Sequence, residues 1–208
     1  MIYFLFLIFF FGLEAGGIKV IYTSALIDDP DGSRRKCYIK NLKNLKKYGC
    51  DVYVVESCHE GPSYLDDYCD KVYYTRSNNP HETKSYNEVM SMLIGLLQFD
   101  FKPDDMILKV TGRYVLEDNQ FVKFVEQNKD ADVIARVWCD FDAYTGYYGI
   151  KYKCLLDMFE YFFFTYDNVS KNFAVEHALG NYINMNKNIL KIVKIPKLYD
   201  YASATDRK

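Results

Sequence analysis

Several common signatures are missing from this 208-residue sequence, and each absence removes a class of protein. There is no GxxxxGK[ST] phosphate loop and no GxGxxG after the first strand-like run, which excludes the usual kinase and dinucleotide-dehydrogenase readings. No GxSxG elbow is present. Six cysteines occur, Cys37, Cys50, Cys58, Cys69, Cys139 and Cys154, but none in a CxxC pair, which argues against a zinc site. There is no basic excess: the formal net charge is −2, which argues against broad electrostatic binding of nucleic acid while leaving room for a local basic pocket. The five prolines never cluster, and no repeat, low-complexity tract or Ser-rich linker interrupts the chain. No internal domain boundary is therefore expected.

What is present suits a folded protein. Half of the residues are hydrophobic and 26% are charged, a balance found in globular proteins and not in disordered ones. The first 17 residues stand apart. Ile2 to Leu13 is an apolar run followed by Glu14, Ala15, Gly16 and Gly17. It is short for a membrane span and suits the core of a signal peptide with small residues after it. No Lys or Arg precedes it, so a short membrane anchor and an over-early start codon before a cytoplasmic first strand stay open. The division expected is 1–17 as signal peptide or anchor and 18–208 as one domain, exported or membrane-associated. An exported chain would permit disulfides, yet several cysteines lie in apolar stretches, where buried free thiols are favoured.

Taken in order, Ile18–Leu26 predicts a strand and Asp28–Ser33 a loop. Ser33 is placed to cap a helix over Arg34–Tyr48, which Gly49 ends. Asp51–Glu56 predicts a second strand, Pro62–Cys69 a short helix, and Lys71–Thr75 a third strand. Lys84–Phe99 is a longer helix with Val89, Met92, Leu93, Leu96 and Leu97 on one face. A strand begins at Met106, and a helix covers Asp118–Asn128. Ala131–Trp138 is another strand, and Tyr144–Ile150 a strand or an ordered loop. Helices over Cys154–Tyr166 and Phe173–Met185 and a strand over Ile189–Ile195 complete the chain. This alternation predicts an α/β fold, a mostly parallel sheet with helices on both faces.

One stretch concentrates the chemistry. Met106, Ile107, Leu108 and Val110 form a buried strand that delivers Lys109, Thr111, Gly112 and Arg113 to its carboxyl end, where open α/β sheets place their ligands. The helix before it carries Lys84, Asn87 and Glu88. This order, ending in K-V-T-G-R-Y, resembles small glycosyltransferases of the GT-A type, the nucleotide-diphospho-sugar transferase fold. The strand and helix order from Ile18 to about Ile150 resembles it too. The resemblance implies transfer of a sugar from a nucleotide-sugar donor to a glycan or lipid-linked acceptor, in surface glycan or polysaccharide synthesis.

Such a reaction must stabilise the charge growing on a diphosphate leaving group. Most GT-A enzymes hold Mg²⁺ or Mn²⁺ through a DxD at this strand end, where this chain has Lys109-Val110-Thr111. The expected donor-diphosphate residues are therefore Lys109, Thr111, Gly112, Arg113, Lys84 and Asn87, with Arg supplying a fork matched to phosphate. A competing feature is Asp140-Phe141-Asp142, one strand later. In an extended segment Asp140 and Asp142 would share a side and could bind a divalent cation, so metal dependence stays open. Arg34 and Arg35 open a helix near the first strand, and Glu56 ends the second strand, either facing solvent or meeting the base or ribose. The resemblance suggests an acidic general base in the last long helix. Glu176 is the candidate and Asp142 the alternative; His177 points about 100° away from Glu176 on a helix. Two other functions fit the same residues: a non-catalytic nucleotide- or sugar-binding module on this fold, and an unrelated exported α/β interaction protein.

Overall fold

The computed structural model describes residues 17–27 and 32–196, together with the backbone of 202–204. The apolar run Ile2–Leu13 and positions 28–31 of the first loop lie outside the described residues. Strands β1 (Lys19–Ser24), β2 (Asp51–Glu56) and β3 (Lys71–Tyr74) alternate with helix α1 (Ser33–Lys47) and a short 3-10 turn, Tyr64–Asp67. Helix α2 (Lys84–Leu96) leads to β4 (Met106–Thr111), β5 (Tyr114–Leu116) and α3 (Gln120–Gln127). Then come β6 (Val133–Ala135), β7 (Val137–Cys139), β8 (Asp142–Ala143) and β9 (Tyr147–Lys151). Helices α4 (Tyr152–Asn168) and α5 (Val175–Asn186) and strands β10 (Ile192–Lys194) and β11 (Ala202–Ala204) follow.

Seven strands form one sheet in the order β10-β6-β9-β4-β1-β2-β3. Every neighbouring pair is parallel except those of β9, which runs antiparallel to both β4 and β6. The strand alternation separates two cores. Val20 and Tyr22 of β1 pack with Leu42 and Leu45 of α1 and Phe121 and Val125 of α3. Ile21, one residue out of phase, packs on the other face with Val89 and Met92 of α2 and Phe162 of α4. Helices on both faces require apolar residues on both sides of each central strand, which is why β1, β2 and β4 read as near-continuous hydrophobic runs.

Local outcomes differ from the expectations in four places. Gly32, with φ of 65°, takes the cap position of α1, and Ser33 is the first helical residue with no capping bond. The segment after Pro62 closes as a single 3-10 turn, started by a reciprocal pair of bonds between Ser63 and Asp66. Leu97 lies beyond α2 and is exposed. The apolar run at 131–138 is two strands: after β6 the chain leaves the sheet at Arg136, and β7 pairs with β8 in a separate hairpin. Tyr147–Lys151 is a strand with four fully buried residues; being antiparallel, it fills the centre of the sheet without a crossover helix.

All six cysteines are free thiols. Burial pushes the Cys50 thiol up to about 12, and Asp51 adds to the shift, whereas Cys139 is exposed in the hairpin. Below that raised value the thiol keeps its proton, and only the thiolate is nucleophilic. Iodoacetamide at pH 8 should therefore label Cys139 in the folded protein and Cys50 only after denaturation. Peptide mapping by mass spectrometry checks this, and equal labelling rates would contradict the burial of Cys50.

Candidate functional site

The carboxyl ends of β1, β2 and β4 meet where the chain order reverses, with β2 and β3 on one side of β1 and β4 on the other. Ligands of open α/β sheets collect at such switch points. A cavity of about 340 Å³ opens there. Its floor is Thr23 to Ala25 and Val55; its walls come from Arg34 and Tyr38 of α1, Lys84 and Glu88 of α2, and Thr111 to Arg113.

The floor is fixed by Glu56, which is fully buried. Its Oε1 accepts from the backbone N–H of Leu26 at 2.9 Å, Cys58 at 2.8 Å and His59 at 3.1 Å; its Oε2 accepts from the Ser24 hydroxyl at 2.6 Å. The expectation that Glu56 meets solvent or a ribose is thus corrected. A buried carboxylate needs donors, and here the β1 and β2 ends supply all of them. Tyr38 closes the same corner, its hydroxyl accepting from the Ala25 N–H at 3.3 Å. Burial raises the Tyr38 pKa, against the opposing effects of the Ala25 N–H and of Arg34. Arg34 itself donates to the Ala25 carbonyl at 3.3 Å.

At the end of β4, Gly112 is explained by space. Its φ is not positive, but a Cβ there would lie 2.6 Å from the Tyr38 ring and 2.9 Å from the Thr23 carbonyl. Its N–H donates to that same carbonyl at 2.9 Å, and its own carbonyl accepts from Tyr22 at 3.0 Å. Arg113, next in sequence, is exposed on the cavity wall.

Lys109 is different. Alternation along β4 turns it into the α2 and α5 face, where it is only 1% exposed. Its ammonium donates to Glu88 Oε1, Thr111 Oγ1 and, at 2.8 Å, the Thr145 carbonyl. All three of its protons have protein acceptors, and it does not line the cavity. A diphosphate would meet Lys109 only after one of these bonds broke. Asn87 does line the cavity, but its amide is bonded at both ends to the Asn79 backbone (2.8 and 2.9 Å), pinning the loop before α2. Lys84, exposed at the start of α2, does line the cavity.

The network continues to the acidic candidates. The Thr145 hydroxyl donates to Glu176 Oε1 at 2.8 Å. Glu176 lies in the first turn of α5, where the helix dipole favours an anion. Buried Tyr148 lies against both acids: desolvation raises its pKa, and the charges of Glu88 and Glu176 raise it further. Thr145 is the residue that sequence reasoning missed. Nothing in its spacing marks it, because it precedes an antiparallel strand that could equally have been a loop.

Asp140 and Asp142 do not form the expected extended pair. Asp140 opens the turn of the β7–β8 hairpin and lines a separate cavity with Lys187 and Lys194. Asp142 faces α5, with Oδ1 3.8 Å from His177 Nδ1 and no hydrogen bond to that oxygen. The close approach depends on Gly180, where a Cβ would strike the backbone of Phe141 and Asp142. Among the described residues no group of three or more His, Cys, Asp and Glu side chains is placed to hold a metal. At the β4 end the oxygens of Glu88, Thr111 and Thr145 converge on the Lys109 ammonium, so the donor set there does not fit a divalent ion.

Fold and cavity define an open α/β protein, covered by helices on both faces, with an anion-compatible site at its switch point. No family pattern and no curated protein sequence matches the chain. Solved structures do. The apo form of the glycosyltransferase GlyE from Streptococcus pneumoniae TIGR4 matches with TM-score 0.52 and 10% identity, over 86% of this chain and 45% of that one. A second GlyE structure gives TM-score 0.52 and 10% identity over 89% and 46%. A glycosyltransferase involved in glycosylation of the major capsid of PBCV-1 matches with TM-score 0.51 and 9% identity, over 86% and 81%. The chain thus spans about half the length of GlyE. At these identities the shared feature is the fold, and that fold is the GT-A type.

The two cations of the β4 end should respond differently to removal. Lys109→Met strips the partly exposed Glu88, the Thr111 hydroxyl and the Thr145 carbonyl of their shared donor and should cost about 3 kcal/mol of stability. Arg113→Ala, on the surface, should cost less than about 0.5 kcal/mol. Urea unfolding measures both, and equal losses would contradict the structural role given to Lys109.

Proposed function

We propose that the chain is a glycosyltransferase that binds a nucleotide-sugar in the switch-point cavity and passes the sugar to an acceptor hydroxyl on a glycan or lipid-linked glycan. The observation that carries this reading is the convergence of Arg34, Lys84 and Arg113 on one concave surface at the carboxyl edge of a GT-A type sheet. The nucleobase lies toward Tyr38 and Ala25, and the diphosphate lies between Arg113 and Lys84. As the bond from the anomeric carbon to the diphosphate oxygen breaks, the electron pair leaves with the diphosphate. Arg113 and Lys84 then meet more negative charge than in the ground state, which is how fixed cations accelerate such a step. The acceptor oxygen bonds to the anomeric carbon and its proton passes to Glu176, held in place by Thr145. Asp142, facing His177, is the alternative proton acceptor. Lys109 positions Glu88 and Thr111. The apolar run at residues 2–13 supports export or membrane association for an enzyme of surface glycan synthesis.

UDP or GDP should raise the melting temperature, because a ligand bound only to the folded state stabilises it by mass action. The protein should also hydrolyse the matching nucleotide-sugar slowly, and continue to do so in excess EDTA. Arg113→Ala should lower that rate on the order of 100-fold, the scale of losing one preorganised donor to a developing anion. Binding without turnover would favour a non-catalytic nucleotide-binding module; no binding of either nucleotide would sink the donor reading.

A further inference from the structure

Glu88 is the one carboxylate among the described residues lining the switch-point cavity. That is an odd place for it if the cavity serves only a diphosphate, since like charges side by side disfavour binding. The geometry shows that it is held there. Oε1 accepts from the Lys109 ammonium and, at 3.3 Å, from the Thr111 hydroxyl. Lys109 is in turn fixed by the Thr145 carbonyl. The carboxylate therefore cannot swing toward the cations of the rim, Lys84 one turn earlier and Arg113 beyond Gly112. Its second oxygen, Oε2, has no hydrogen bond from the described residues, and 24% of the side chain remains exposed.

An ionised carboxylate with one oxygen anchored and the other presented to a cavity is an acceptor waiting for a donor. In a nucleotide-sugar the hydroxyl donors lie on the ribose and on the transferred sugar. The position along the cavity separates the two. Tyr38, Ala25 and Cys58 stand at the β1–β2 end, while Glu88 is bonded into the network that continues through Thr145 to Glu176 on α5. Glu88 thus sits on the side of the general-base candidate, where the reacting sugar must lie.

We propose that Glu88 is a specificity-determining residue that accepts hydrogen bonds from hydroxyls of the donor's sugar ring, held in register by Lys109. This rests on the donor reading given above. It adds that the site selects sugars with free hydroxyls facing α2 and discriminates against donors deoxygenated or blocked there. The arrangement also gives Lys109 a purpose: its ammonium, bonded to Oε1, keeps the Glu88 carboxylate aimed, so a hydroxyl contact to Oε2 is charge-assisted.

The test compares two classes of ligand on three proteins. Isothermal titration would measure UDP and GDP, then UDP-glucose, UDP-galactose and GDP-mannose, on wild type, Glu88→Gln and Glu88→Gln/Lys109→Met. The double variant removes the buried ammonium left unpaired by the single one, so loss of folding does not mimic loss of recognition. Expected is unchanged or tighter binding of the nucleoside diphosphate in both variants. The preferred nucleotide-sugar should weaken on the order of 10- to 100-fold, the scale of one or two hydrogen bonds to a charged group. Equal weakening of diphosphate and sugar nucleotide would place Glu88 on the ribose and overturn the proposal. Unchanged sugar-nucleotide binding would overturn it too. Wild type that binds none of these ligands would overturn the donor reading itself, and the role of Glu88 with it.

Discussion

The ammonium of Lys109 is the point on which this site turns. A cation in a nearly water-free interior is costly unless it is paired and fully hydrogen-bonded. Here the pairing comes from three separate pieces of chain: Glu88 on α2, Thr111 on β4 itself and the Thr145 carbonyl ahead of β9. Because the acceptors must all reach one nitrogen, α2, β4 and the β9 entry are fixed relative to one another. Thr145 then carries the constraint onward, since its hydroxyl holds Glu176 at the start of α5. One buried charge thereby sets the distance between the wall of the cavity and the acid on the neighbouring helix.

Charge is distributed by depth. The cations placed to meet a ligand, Arg34, Lys84 and Arg113, come from helix starts and a turn at the rim of the cavity. The charges that organise the rim lie beneath it. Glu56 gathers the β1 and β2 ends with four donors, and Lys109 does the corresponding work under β4. Such satisfied networks rigidify a site. The β7–β8 hairpin adds a second layer. Its close contact with α5 through Gly180 sends Asp140 and Asp142 to different surroundings, so their spacing in sequence says little about what they can share.

Periodicity and turn chemistry were enough to place most of the elements. Near-continuous apolar runs gave β1, β2 and β4, because a sheet covered on both faces leaves no polar side. The alternation of those runs with amphipathic helices gave the α/β class, and the K-V-T-G-R-Y ending marked the strand end that lines the cavity. The boundaries that failed were those where a tertiary partner decides. The run at 131–138 reads as one strand until the hairpin partner at 142–143 draws its second half away. Tyr144–Ile150 could be read as strand or loop, because only β4 and β6 on either side make it a strand.

Residue types in sequence determined that cations, a glycine and acids would cluster near the β4 end, since a strand and its preceding helix bring them within reach of one another. Which of them could meet a ligand was decided by the tertiary structure alone. Lys109 and Arg113 are four positions apart in one motif, yet strand alternation buries the first against α2 and α5 while the turn at Gly112 leaves the second on the cavity wall. Glu56 and Glu88 likewise differ by surroundings: the ends of β1 and β2 supply four donors to Glu56, whereas Glu88 lies on the cavity wall with its hydrogen bonds among the described residues all at Oε1. The physical reason is common to both pairs. Burial forces a charged group to satisfy its hydrogen bonds within the protein, and only the folded chain determines which groups are buried.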